Sequence, residues 1–141
     1  MSHASSNSLD LILSNTPDDV SKAIHDFLVF CKEKNFSLAV VYKFRLAMEE
    51  ILVNTISYSY PDLKKHFIKV KIRFANDIVT IEFVDDGIEF NPLTVPPPAD
   101  VPLEERKPGG VGLYLVKTMM DTFEYQRKDG ENIITISKKI I

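Results

Sequence analysis

Residues 85–112 read DDGIEFNPLTVPPPADVPLEERKPGGVG, and this stretch decides how the rest of the chain is understood. Six of the eight prolines lie between Asn91 and Pro108, and the charged run Glu104-Glu105-Arg106-Lys107 closes the segment. Neither a regular helix nor a central strand accommodates that many prolines, which lack a backbone donor and lock φ. Loops beyond about 12 to 15 residues are uncommon inside compact domains, where they serve as functional lids or as linkers. Four of the five glycines flank this loop: Gly87 before it, and Gly109, Gly110 and Gly112 after it. Gly109-Gly110-Val111-Gly112 opens a predicted helix, whose free amides suit a phosphate. The pattern predicts a lid over about residues 91–108, beside a phosphate site. The competing reading from these residues alone is a surface excursion flanked by ordinary cap glycines.

Immediately upstream, Ile68, Val70, Ile72 and Phe74 alternate with Lys69, Lys71 and Arg73, and Val79, Ile81 and Phe83 return after Asn76-Asp77. Such alternation across a two-residue turn predicts a hairpin. Its parity carries through to Asp85, which places that carboxylate on the core side at a strand end. A buried carboxylate needs a donor partner, and an adenine amine would satisfy it; a turn aspartate in Asp85-Asp86-Gly87 is the plainer alternative.

Further upstream, Val41, Phe44, Met48, Ile51, Leu52 and Thr55 form the apolar face of a helix that ends near Tyr60-Pro61-Asp62. Glu50 and Asn54 stand one turn apart at the border of that face. A carboxylate beside an amide oxygen suits a hard cation such as Mg²⁺, whereas surface pairing of Glu50 with Lys43 or Lys65 is the ordinary alternative. An earlier helix starts at Thr16-Pro17-Asp18-Asp19, with Thr16 as cap and Asp19 approximating a capping box, and runs to about Glu33. Leu9, Leu11 and Leu13 before it alternate as an edge strand does.

Downstream, Gly110 to Met120 reads as a third helix. Asp129-Gly130, between Phe123-Glu124-Tyr125 and Ile133-Ile134-Thr135-Ile136, is a type I′ hairpin signal. The order βααββ, loop, αββ predicts an α+β two-layer sandwich, with a mixed, largely antiparallel sheet covered on one face by helices. Residues 1–7 are polar and expected to be disordered, leaving 8–141 as a single domain.

Composition narrows the function classes. The chain is 45% hydrophobic and 26% charged, values ordinary for a globular domain, and no apolar run approaches the ~20 residues of a membrane helix. A formal charge of −3 provides no general attraction for nucleic acid. Cys31 is the only cysteine, which excludes an internal disulfide. With no basic and apolar leader at residues 1–8, a cytoplasmic location is expected.

Glu50-x-x-x-Asn54, Asp85-x-Gly87, a lid and Gly110-x-Gly112-Leu113, in that order, resemble the Bergerat-fold (histidine-kinase-like) ATPases, which include histidine kinases, DNA gyrase and MutL. Over nearly the whole chain the pattern is most similar to the bacterial anti-sigma regulatory factors, which are serine/threonine protein kinases. The resemblance implies ATP and Mg²⁺ as cofactors, Glu50 as catalytic base, Asn54 as Mg²⁺ ligand, Asp85 as adenine reader and Gly87 in the base pocket. It implies further that Gly109, Gly110 and Gly112 lie at the phosphates and that Arg106 or Lys107 meets the terminal phosphate. Glu89 and Tyr58 depart from the family pattern, standing where a second glycine and a histidine are common.

The partners implied by resemblance are an anti-sigma antagonist of the STAS type, phosphorylated on serine or threonine, and a sigma factor that is sequestered. Relatives often form homodimers. Two alternatives differ in class: a nucleotide-dependent binding switch that transfers no phosphate, and an interaction domain that binds no nucleotide.

Overall fold

The computed structural model describes residues 2–5, 7–94 and 110–141. In chain order they form β1 (Ser2–Ser5), β2 (Ser8–Ser14), α1 (Pro17–Glu33), α2 (Leu38–Tyr58), β3 (Phe67–Ala75), β4 (Ile78–Asp85), a short 3-10 turn over Pro92–Thr94, α3 (Gly110–Met119), β5 (Thr122–Lys128) and β6 (Glu131–Lys139). The strands make one sheet in the order β1-β2-β3-β4-β6-β5, and every pairing is antiparallel.

The alternation in sequence becomes a one-sided sheet. Ile68, Val70 and Ile72 of β3 are buried while Lys69, Lys71 and Arg73 are exposed. On the buried side, Leu9, Leu11, Leu13, Ile81, Phe83 and Ile136 meet Phe27 of α1 and Phe44, Met48, Ile51 and Leu52 of α2. Phe27 and Phe44 pack edge to face, with ring centroids 6.1 Å apart. Leu113 and Val116 bring α3 into the same core.

Local signals set the boundaries. Thr16 Oγ1 accepts from Asp19 N at 3.2 Å, and Asp19 reaches back to accept from Ser14 N and Ser14 Oγ, both at 2.8 Å. The capping box is thus widened by two residues, tying α1 to the end of β2. Ser37 caps α2 by accepting from Val40 N. The turns at Asn76-Asp77 (φ 53° and 62°) and Asp129-Gly130 (φ 52° and 77°) have the paired left-handed residues of type I′ hairpins.

One expectation is corrected. Ser2–Ser5, read from their polarity as part of a disordered segment, pair with Ser8–Leu11 as an antiparallel strand. The outer edge of β2 offers backbone donors and acceptors that need partners, and an edge strand can supply them without an apolar face of its own. No helix among the described residues is long and apolar enough to cross a membrane.

Candidate active site

The site is organised along α2. Glu50 and Asn54 lie on the same side of the helix, and Asn54 Nδ2 donates to the Glu50 carbonyl at 2.7 Å. That bond turns the buried amide so that its oxygen is the end left to act as a ligand. No hydrogen bond to Asn54 Oδ1 occurs among the described residues. Glu50 is partly buried and has no ion pair among them, so neither Lys43 nor Lys65 neutralises it. Burial raises its pKa, with the charge of Glu49 adding to the effect.

Gly112, in the first turn of α3, meets this carboxylate. A Cβ at Gly112 would overlap the Glu50 carboxyl group, so the glycine is what allows α3 to close against the acid. Gly110 starts the helix. Arg106, Lys107 and Gly109, with most of the lid, lie outside the described residues.

The other end of α2 meets the turn after β4. Ile88 N donates to Ser59 O at 2.9 Å, and a Cβ on Gly87 would overlap the Ser59 backbone. The space its missing side chain leaves is taken up by Ser59, the C-cap of α2. From Glu50 to Ser59 the helix rises about 13 Å, at about 1.5 Å per residue.

Asp85 is 4% exposed, at the core-facing end of β4, as its parity predicts. Its Oδ1 accepts from Gly87 N and from Asn132 Nδ2, both at 2.9 Å. Burial pushes the carboxyl upward; these two hydrogen bonds and Arg127 oppose the shift, and Asp86 reinforces it.

Sequence reasoning missed Asn132, which is 1% exposed and directly across from Asp85 in the β4–β6 pairing. A signal was present: Asn132 shares the parity of Ile134 and Ile136, so it is a polar residue at a core-facing position. It missed Tyr125 and Arg127 of β5 as well, both of which bond to Asn132 Oδ1. Of the two departures from the family pattern, Tyr58 packs its ring against Phe90, centroids 5.8 Å apart, and Glu89 is exposed.

A helical layer on an antiparallel sheet, with an acid and an amide on α2 and a buried aspartate at a strand end, is the arrangement that the resemblance to nucleotide-binding ATPase domains implies. The chain belongs to the histidine kinase-like ATPase domain family, which it matches over residues 13–138. It is 27% identical over 134 residues to the serine/threonine-protein kinase BtrW of Bordetella bronchiseptica, covering 94% of each chain. It is 26% identical over 110 residues to the serine-protein kinase RsbW of Oceanobacillus iheyensis, covering 74% of this chain and 69% of that one. A crystal structure of the RsbU and RsbW domains of a Mycobacterium tuberculosis protein superposes with a TM-score of 0.69 at 16% identity. It covers 94% of this chain, which spans 32% of the length of that larger one.

Proposed function

We propose that the protein is an ATP-dependent serine/threonine protein kinase of the anti-sigma regulatory type, acting in the cytoplasm on a STAS-type antagonist and alternating that partner with a sigma factor. The observation that carries the reading is Glu50: a partly buried carboxylate, without an ion pair among the described residues, pressed against the first turn of α3 at Gly112. Similarity to the serine/threonine-protein kinase BtrW over 94% of the chain supports the same reading.

The residues fit the groups that the reaction needs. Asp85 keeps one carboxylate oxygen outside its hydrogen bonds to Gly87 and Asn132, which suits an adenine amine. Asn54 offers an oxygen whose orientation is set by its own anchored Nδ2. No group of three or more His, Cys, Asp and Glu side chains among the described residues forms a metal cage. A single amide ligand is consistent with Mg²⁺, which keeps waters and phosphate oxygens as its other ligands.

In the mechanism, Glu50 accepts the proton of the substrate hydroxyl as its oxygen attacks the terminal phosphorus of ATP, and ADP leaves. A carboxylate with a raised pKa is the stronger base for that step. Mg²⁺, when bound, supplies charge neutralisation on the triphosphate. Asn54 orients the phosphate end and Asp85 holds the base end; Arg106 or Lys107 is the cation assigned to the terminal phosphate by resemblance alone. The added phosphate changes the partner's affinity through its charge.

Two measurements test this. Mg-ATP at saturation raises the unfolding temperature of the wild type, and Asp85→Asn loses most of that rise. With labelled ATP and the antagonist, Glu50→Gln transfers phosphate roughly 10²- to 10⁴-fold more slowly while still binding ATP. Unchanged transfer by Glu50→Gln removes the base assignment; binding without transfer in the wild type favours the nucleotide-dependent switch.

A further inference from the structure

We propose that Asn132 and Arg127 are positioning residues that hold the Asp85–Gly87 turn so that one oxygen of Asp85 faces the base and rejects a 6-oxo purine. The proposal rests on the reading of Asp85 as the base-recognising group and adds the residues that give it selectivity.

At Gly87 and Ile88 both backbone groups have a partner: Gly87 N donates to Asp85, and Ile88 N donates to Ser59 O. Asn132 Nδ2 donates to Asp85 Oδ1 at 2.9 Å and to Ile88 O at 2.7 Å. Asn132 Oδ1 accepts from Tyr125 Oη at 2.6 Å, from Arg127 at 3.2 Å and from Phe90 N at 3.3 Å. The same Arg127 nitrogen donates to Gly87 O at 2.8 Å. The turn is thereby bonded to both strands of the β5–β6 hairpin and, through Ser59, to α2.

The orientation of the Asn132 amide is determined by this arrangement. If it were flipped, its NH₂ group would face the Phe90 N–H and the Arg127 guanidinium, and its oxygen would face the Asp85 carboxylate. With Nδ2 toward Asp85, Oδ1 of that carboxylate is occupied twice, and no hydrogen bond among the described residues uses Oδ2. An ionised carboxylate accepts only, so the remaining oxygen takes an N–H donor and is repelled by a carbonyl. A 6-amino group placed against it satisfies it, and a 6-oxo group in the same place does not.

Asn132 has a second effect. Burial favours the neutral form of Asp85, and the Asn132 and Gly87 hydrogen bonds work against that. A protonated Asp85 could donate to a 6-oxo group, so keeping it ionised keeps it selective. The two roles, orientation and ionisation, predict the same loss when the amide is removed.

The test compares dissociation constants of Mg-ATP and Mg-ITP for the full chain between pH 5 and 8, with the unfolding temperature of each nucleotide-free variant recorded alongside. For wild type, ATP is preferred. In Asn132→Ala the preference falls about 10-fold, and the pH below which it disappears moves upward. Arg127→Gln, at an exposed position suited to retain the fold if Asn132→Ala does not, lowers the ATP-to-ITP preference in the same direction by a smaller factor. Equal weakening of both nucleotides, with an unmoved pH profile, overturns the proposal and leaves Asn132 as scaffold. A wild type that prefers neither nucleotide while binding both overturns the assignment of Asp85 and the proposal with it.

Discussion

The Glu50 carboxylate occupies the space where a side chain at residue 112 would begin, so α2 and α3 approach each other at Glu50 itself. The flexible end of a side chain can yield where backbone cannot. Gly112→Ala is therefore expected to fold, with a stability change within about 1 kcal/mol, because alanine's helix preference offsets the crowding. It displaces Glu50, and phosphotransfer falls about 100-fold or more. Circular dichroism and the labelled-ATP assay read the two effects separately.

Gly87→Ala is expected to behave in the opposite way. The Cβ there overlaps the carbonyl group and the Cβ of Ser59, neither of which can rotate aside. Destabilisation of about 1–3 kcal/mol follows from forced overpacking. Urea unfolding of this variant beside Gly112→Ala checks the contrast, and equal stabilities would contradict it.

The raised pKa of Glu50 sets a pH dependence with opposite signs for rate and stability. As a base it acts when ionised, so kcat at saturating ATP declines as pH falls through a value above the ordinary 4.5, and Glu50→Gln lacks that limb. For stability, a folded-state pKa above the unfolded one favours folding at low pH, and this contribution is lost as pH rises through the folded value. Glu50→Gln is thus expected to be no less stable than wild type at pH 7, measured by thermal unfolding.

His66 provides a second titration. Its Nε2 meets Asp62 at 2.8 Å, its Nδ1 meets Asp86 at 3.1 Å, and its ring stacks on Tyr60 with centroids 4.3 Å apart. The hydrogen bond to Asp62 is the main cause of its raised pKa, followed, against some desolvation, by the charges of Asp62 and Asp86. The stabilisation is fully present below the ordinary 6.5 and is lost as pH rises through the raised value. Unfolding temperature in that window declines for wild type and stays flatter for His66→Gln.

The hydroxyl of Tyr60 is buried without a hydrogen-bond partner among the described residues, and burial together with Asp85, Asp86 and Asp62 raises its pKa. Removing an unsatisfied buried polar group relieves its desolvation cost. Tyr60→Phe is expected to gain about 1 kcal/mol in denaturant unfolding, and a loss of stability would show that the hydroxyl is satisfied in solution.

Much of this is legible in the amino-acid sequence alone. The alternation of Ile68, Val70 and Ile72, the cap at Thr16 and the left-handed pairs at Asn76-Asp77 and Asp129-Gly130 are local, and each translates into an element by short-range physics. Asp85 was found inside because parity is local too. Its partner was not found, since cross-strand register is a property of two segments 47 positions apart in sequence. Arg127 was harder still: it sits on an exposed strand position, yet its guanidinium folds over to the Gly87 carbonyl. The contact between Glu50 and Gly112 depends on the docking of two helices, which spacing along either one does not reveal.

Because Glu50 and Asn54 belong to α2 and Ser59 caps its C-terminus, the distance between the two ends of the site is set by the pitch of one helix. One residue inserted between Glu50 and Asn54 would turn everything beyond it by about 100° and lengthen the span by about 1.5 Å. Substitutions can be absorbed around such a rigid gauge, but length changes cannot. Insertions and deletions that preserve activity should therefore cluster outside Leu38–Tyr58, however freely the surrounding sequence drifts.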